Sequence, residues 1–227
     1  MSVLSDARII EKVYDEALKI EPFIYEHIQP ASIDLTLGKK IKRPKKDIKC
    51  GVNVFDSQKE IYDEIEIGDY ELKPGEFIVA SICERIELPA DLCGFVKNRS
   101  SLARSGIDVG MANYVNPGYK GVLTIAVKNV NTIPIKIHAG MRICQLVFED
   151  VEPEARTDYG KKSDAKYQEE KGSGLSKLEL ESEFIEYLSG NTNGKDISEF
   201  LFERIERKDR STKELLSKRE KIKLGLK

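Results

Sequence analysis

Apolar positions divide the chain into stretches of different period. Near the start, Ile9, Ile10, Val13, Ala17 and Ile20 recur at helical spacing behind Ser5 and Asp6, which can cap the first turn. The pattern predicts an amphipathic helix from residue 6 to about 20. From 31 to 151 the period shortens: SIDLTLG, EIEIGDYELKPGEFIVASI, ERIELP, GFVKN, GVLTIAVKN and IPIKIHAGMRICQLVFE are Ile- and Val-rich runs broken by Gly, Pro and Asn. Ile133, Ile135 and Ile137 alternate with Pro134, Lys136 and His138, as in a strand with one buried face. Short runs with turn signals about every 8–12 residues predict a mainly β fold, a barrel or sandwich of the jelly-roll kind.

Beyond Val151 the pattern changes again. Residues 152–177 carry Pro153, Gly160, Gly172 and Gly174 among many lysines and acids, the composition of a mobile tail. LELESEFIEYLSG and ISEFLFERIERKDRSTKELLSKREKIKL then read as two helices around the turn GNTNGKD, with Phe200, Leu201 and Ile205 on one stripe of the second. The expected organisation is a helical flank at 1–28, a β-barrel at 29–151, a mobile tail at 152–178 and a charged helical extension at 179–227. The extension is read as a packing arm, with partner binding as the alternative.

Composition narrows the functional classes. Among 227 residues, 37 basic side chains nearly balance 39 acidic ones, so no global field favours nucleic acid or an anionic membrane, and neither partner is expected. Cys50, Cys83, Cys93 and Cys144 form no CxxC pair and the histidines are His27 and His138, so no zinc site is expected. No apolar run reaches the roughly 18 residues that span a bilayer, and acids interrupt the N-terminal stretch where a signal peptide stays apolar. The expectation is a cytoplasmic protein with reduced thiols.

The densest chemistry lies at 94–129, GFVKNRSSLARSGIDVGMANYVNPGYKGVLTIAVKN. Arg99, Ser100, Ser101 and Arg104 gather two guanidiniums and two hydroxyls within six residues. Two readings fit them. The guanidinium forks and hydroxyls can cradle phosphate oxygens, or the same residues can cap a helical turn and pair ions at the surface.

RSSLARSG at 99–106, preceded by ERIELPADLCGFV and followed by NPGYKG, closely resembles the central motif of the dCTP deaminase and dUTPase family. PASIDLTLG at 30–38 resembles that family's N-terminal motif and AGMRICQLVFE at 139–149 its late barrel strand. DAKYQEEKG with SKL, within 164–178, resembles the C-terminal segment of the deaminase branch. The resemblance implies a distorted jelly-roll barrel of the dUTPase type, a homotrimer with active sites at subunit boundaries, and Mg²⁺ carried by a pyrimidine deoxynucleoside triphosphate. By position it makes Arg99, Ser100, Ser101 and Arg104 phosphate-binding and catalysis-supporting residues. It assigns 112–115 to the hairpin that reads the pyrimidine, Tyr119 and Gly121 to its turn, and Gln145 to a strand position near the nucleotide. Tyr159, Lys166 and Tyr167 match a lid that closes over the phosphates.

The resemblance also exposes departures. Deamination at C4 of cytosine needs a general base, which this family supplies as a glutamate on the strand after NPGYKG; here that position is Ala126. The diphosphatase branch activates water with an aspartate before the same turn, and that position is Asn116. Neither replacement can take a proton from water. Asn98 stands where the family has glycine, and a tail glutamine has become Glu170 or Lys171. Asp108 and Asp34 are the candidate substitute bases, each with a structural hydrogen-bonding role as the alternative, whereas Glu84 and Glu87 lie on a structural strand. Three functions follow: a dCTP deaminase, a dUTP diphosphatase, or a nucleotide-binding paralogue without turnover that acts as a sensor or interaction protein.

Overall fold

The computed structural model describes residues 2–48, 51–110, 114–190 and 194–223. The chain forms two compact units, one comprising Met1–Gly51 with Gln58–Ser176 and the other Val52–Ser57 with Lys177–Lys227.

The first unit opens with α1 (Asp6–Tyr14), whose first turn is capped by the Ser5 hydroxyl accepting from the Arg8 N–H. The helix stops six residues short of the position that its apolar spacing predicts. Glu16 turns the chain with φ 56°, and Ile20 enters β1 (Lys19–Glu21), where it pairs with Ile86. Strand pairing and complete burial of Leu18 outweigh a further helical turn.

The remaining strands are β2 (Ile28–Gln29), β3 (Ser32–Pro44), β4 (Tyr62–Glu66), β5 (Asp69–Leu72), β6 (Phe77–Glu87) and β7 (Leu92–Asn98). After the short helix α2 (Ser100–Arg104) come β8 (Ile107–Asp108), β9 (Tyr114–Val115), β10 (Lys120–Asn129), β11 (Ile135–His138) and β12 (Arg142–Asp150). The main sheet is antiparallel and runs β8-β10-β6-β3-β12-β7-β9, with β1 added on β6 and both β2 and β4 on β3; β5 and β11 pair separately.

The two ends of that path, β8 and β9, are joined by residues 109–113 alone. Six residue steps reach at most about 20 Å. A flat path of seven strands would need about 29 Å at ~4.8 Å per neighbour. The sheet must therefore curl until its edges face each other, and it forms a strongly curled, barrel-like jelly roll. Alternate residues fill its inside: Leu35 and Leu37 of β3, Ile78, Ala80 and Ile82 of β6, Ile125 and Val127 of β10, and Leu146 and Phe148 of β12 are all buried. The alternation expected at 133–137 holds in β11, where Ile137 is buried, but Ile133 lies before the strand and is exposed.

In the second unit, α3 (Ser182–Leu188) and α4 (Ile197–Lys223) form the expected helices. Phe55 stacks on Phe184 at 4.8 Å between centroids, and Phe200 meets Tyr187 at 5.6 Å. The inward stripe of α4 differs from the predicted one. Phe200 and Arg204, one turn apart, are buried, whereas Ile205 is exposed. Arg204 takes that place because its guanidinium donates to Glu183 at 2.7 Å, Glu186 at 2.8 Å and the Ser182 hydroxyl at 3.0 Å. Among the described residues, no helix is long and apolar enough to cross a membrane.

Candidate functional site

The candidate residues fall into two clusters within the barrel unit. The first stands at the end of β7, where the chain breaks into α2. Ser100, Ser101 and Arg104 are exposed on this helix, available to an anion. Arg99, just ahead of it, is tied down. Its Nε lies 3.3 Å from Asp34 and its Nη1 donates to the Arg142 carbonyl at 3.2 Å. Asp34, only 1% exposed, also accepts from Arg142 at 3.0 Å and from the Gln145 amide at 3.3 Å. The strand order explains the gathering: β12 lies between β3 and β7, and Gln145 is registered opposite both Asp34 and Lys97. Sequence reasoning proposed Arg99 and Gln145 separately. Their common anchor is Asp34, whose contacts are those of the structural alternative to a base.

A second buried acid, Glu84 of β6, binds β3 two residues beyond Asp34. Glu84 accepts from the backbone N–H and the hydroxyl of Thr36, at 3.1 and 2.6 Å. Its charge adds to the burial that pushes the Cys144 thiol far above the ordinary range. These bonds fit the structural role expected of Glu84.

The second cluster is a cavity of about 340 Å³ over the outer face of β10. Val79, Tyr114, Tyr119, Leu123, Thr124 and Ala126 contribute from the barrel, and Tyr167, Glu170 and Gly174 from the tail. Thr124 and Ala126 reach it from one face of β10, and Leu123, on the core side of the strand, also borders it. The tail is held along this strand. Glu169 donates its N–H to the Lys120 carbonyl at 2.7 Å, Val122 to the Glu170 carbonyl at 2.8 Å, and Gly174 to the Thr124 hydroxyl at 2.8 Å. Gly121 permits the approach. Its φ is +146°, and a Cβ there would sit 2.9 Å from the Glu170 nitrogen.

Tyr159 and Tyr167 meet at this tail, the Tyr167 N–H donating to the Tyr159 hydroxyl at 3.0 Å, and Tyr159 packs against Tyr119 at 6.2 Å. Burial first, then the Glu170 charge, pushes the Tyr119 phenol well above its ordinary range, so it stays a donor, to the Val122 carbonyl at 3.1 Å. Lys166 is half-buried in the same segment.

Of the two positions at which the resemblance implies a carboxylate, one lines the cavity and the other does not. Ala126 lines the cavity, whereas Asn116 is exposed on the turn before β10, its carbonyl accepting from the Tyr119 N–H at 3.1 Å. Nor do Arg99, Ser100, Ser101 and Arg104 line the cavity. Asp108 is taken up locally by Asn98 and Gly110. Of the hairpin at 112–115, Ala112 and Asn113 lie outside the described residues, while Tyr114 and Val115 line the cavity.

The chain resembles known proteins in sequence and in fold. The sequence profile of the dCTP deaminase-like family matches residues 3–151. A protein of Dictyoglomus thermophilum named "dCTP deaminase, dUMP-forming" is 37% identical over 186 residues, covering 79% of this chain and 96% of its own. A "dCTP deaminase" of Halorubrum lacusprofundi is 33% identical over 198 residues, covering 80% and 94%. The crystal structure of 2'-deoxycytidine 5'-triphosphate deaminase from Agrobacterium tumefaciens superposes with a TM-score of 0.53 at 27% identity. That match covers 64% of this chain and 47%, about half, of the other. The profile spans most of the barrel unit, and the relatives extend the likeness through nearly their whole length: the chain belongs to the dCTP deaminase-like family.

Proposed function

We propose that the protein binds a pyrimidine deoxynucleoside triphosphate as its Mg²⁺ complex and deaminates dCTP at C4, at sites shared between copies of a homotrimer. The observation that carries this reading is the separation of the two clusters. The exposed donors of α2 and the largely apolar cavity at Ala126 do not meet within one chain. Phosphates need the first and a pyrimidine ring suits the second, so a second copy completes the site. Ser100, Ser101 and Arg104 offer hydrogen-bond donors to phosphate oxygens. Gln145 and Arg99 hold the base of that cradle through Asp34. Tyr159, Lys166 and Tyr167 belong to the segment that covers the cavity.

The donor set suits a metal held on phosphate oxygens. Among the described residues no group of three His, Cys, Asp or Glu side chains is arranged to hold an ion, while a triphosphate brings its own oxygen ligands for Mg²⁺. When bound, Mg²⁺ neutralises phosphate charge.

The relatives named "dUMP-forming" support a second reading, in which diphosphate is also released. Asn116 opposes it, since it can orient a water but not take its proton. A single assay separates these readings from binding without turnover. Purified protein with Mg²⁺ and dCTP or dUTP is followed for ammonia and diphosphate, and binding is titrated by calorimetry. Ammonia from dCTP alone is expected. Ammonia together with diphosphate from dCTP would favour the second reading, diphosphate without ammonia a diphosphatase, and binding without either product the inactive paralogue, while absence of binding by a stable monomer would overturn the proposal.

A further inference from the structure

We propose that Glu170 is the general base of this chain: the carboxylate absent from Ala126 is delivered into the same cavity by the tail. The inference rests on the deaminase reading above.

Among the described residues that line that cavity, Glu170 is the one carboxylate. Its place follows from the register of the tail on β10. Glu170 bridges Gly121 in parallel, and its carbonyl accepts the Val122 N–H. From there its Oε2 reaches the Thr124 hydroxyl at 3.2 Å. Thr124 and Ala126 face the same side of β10, two residues and so about 7 Å apart. An extended glutamate side chain at 126 would reach most of the way along that face toward Thr124. The carboxylate has moved by one step along the strand rather than disappeared.

The tail also fixes the carboxylate. The Thr124 hydroxyl lies 3.2 Å from the Gly172 carbonyl and accepts from the Gly174 N–H at 2.8 Å, while the Lys42 ammonium donates to the Ser173 carbonyl at 2.5 Å. Gly174 closes directly against the carboxylate; a Cβ there would collide with both of its oxygens. A half-buried acid held on three sides at the mouth of an apolar cavity is a positioned group rather than a solvated one.

The step balances with water as the only co-reactant. Glu170 takes one proton from water as the water oxygen bonds to C4 and the N3–C4 π pair moves to N3, and N3 receives that proton. The second proton of the water then passes through the carboxylate to the amino group. The C4–N bond breaks with its electron pair leaving on ammonia, C4=O forms, and the carboxylate is regenerated. One water is consumed and one ammonia released.

Glu170→Gln keeps the shape and the backbone bonds but cannot hold a proton in this way. With dCTP and Mg²⁺, the expected result is ammonia release by the unaltered chain, a fall in kcat of about 10²–10⁴-fold in Glu170→Gln, and dissociation constants for dCTP within threefold of each other. The double variant Glu170→Gln/Ala126→Glu is expected to regain ammonia release, and the acid limb of the pH–rate profile to vanish in Glu170→Gln and return in the double variant. Undiminished turnover in Glu170→Gln, or dCTP binding with no turnover until Ala126→Glu is introduced, would overturn the assignment while leaving nucleotide binding intact. Failure of the unaltered chain to bind dCTP would instead overturn the deaminase reading and this inference with it.

Discussion

Asn98 donates its side-chain amide to Asp108 at 3.1 Å and accepts the Val109 N–H at 2.9 Å, so one side chain closes the loop between β7 and β8 from both sides. Asp108 accepts in addition from Gly110 at 3.0 Å. These bonds give Asp108 the structural work of a turn and explain why asparagine stands where a glycine is expected. Asp108→Asn can keep the acceptor for Gly110, and ammonia release should stay within threefold of the unaltered chain. Asn98→Ala should lower stability by about 1–2 kcal/mol, since it strands an amide and a carboxylate. Denaturant midpoints with a parallel ammonia assay check both.

Arg99 answers for fold as well as ligand. Its removal leaves Asp34, 1% exposed, with Arg142 and Gln145 as remaining partners. Breaking a fully buried pair costs about 3–5 kcal/mol, and retention of Arg142 reduces the expected loss for Arg99→Ala to about 2–3 kcal/mol. Arg104→Lys, on the exposed face of α2, should leave stability within about 0.5 kcal/mol while weakening triphosphate binding through loss of the guanidinium fork. Urea unfolding and calorimetric titration of the two variants separate the roles. Equal stability of Arg99→Ala and the unaltered chain would disprove the anchoring.

The tail's attachment has one conformational weak point. At Gly121 an added methyl group meets both φ +146° and the Glu170 backbone. Strain of about 1–3 kcal/mol favours an undocked tail by about 5- to 150-fold. Gly121→Ala should therefore be cut faster by trypsin at Lys161, Lys162, Lys166 and Lys171, with nucleotide and Mg²⁺ restoring part of the protection. Mass spectrometry of the digest reads the sites.

How much of this was legible beforehand follows the range of the interactions. The strand at GVLTIAVKN was legible as an apolar run bounded by turn signals, because a strand's composition and period are local. The motifs at 30–38, 99–106 and 139–149 pointed to the barrel and to α2. The Asp34 anchor was hidden because it depends on β3, β7 and β12 lying side by side, a matter of long-range register. Glu170 and Thr124, 46 residues apart, meet only because the tail runs along β10. The early end of α1 and the place of Arg204 in α4 had the same cause: pairing and charge supplied by distant elements outweighed local apolar spacing.

The helical pair of the second unit should be sensitive to acid. Hydrogen bonds from its own backbone N–H and from Ser182, with the Arg204 charge, hold the Glu183 carboxyl below its ordinary range; Arg204 and Arg207 do the same to Glu186. A carboxyl with a depressed folded pKa stabilises above its unfolded pKa, about 4.3, and that contribution is lost as pH falls through the folded value. Hydrogen exchange across 182–207 should be unchanged from pH 7 to 5, after correction for the intrinsic rate, and rise below about pH 4. Arg204→Leu should weaken that pH dependence.

Placing a second carboxylate beside Glu170 gives the most direct electrostatic reading of the cavity. In the single variant Ala126→Glu, positions 126 and 170 both present acids over one face of β10, with Thr124 between their attachment points. Like charges that close in a largely apolar cavity cannot both ionise at their ordinary pKa, so the second proton is lost at a higher pH. Because the variant's carboxyl has a folded pKa above its unfolded one, its penalty is absent at low pH and grows as pH rises through the unfolded value. The melting temperature of Ala126→Glu relative to the unaltered chain should thus fall from pH 4.5 to pH 8. The acid limb of its ammonia release should move upward in pH. In Glu170→Gln/Ala126→Glu, where one charge is gone, both effects should disappear, and an upward shift that persisted there would show that Glu170 does not face position 126.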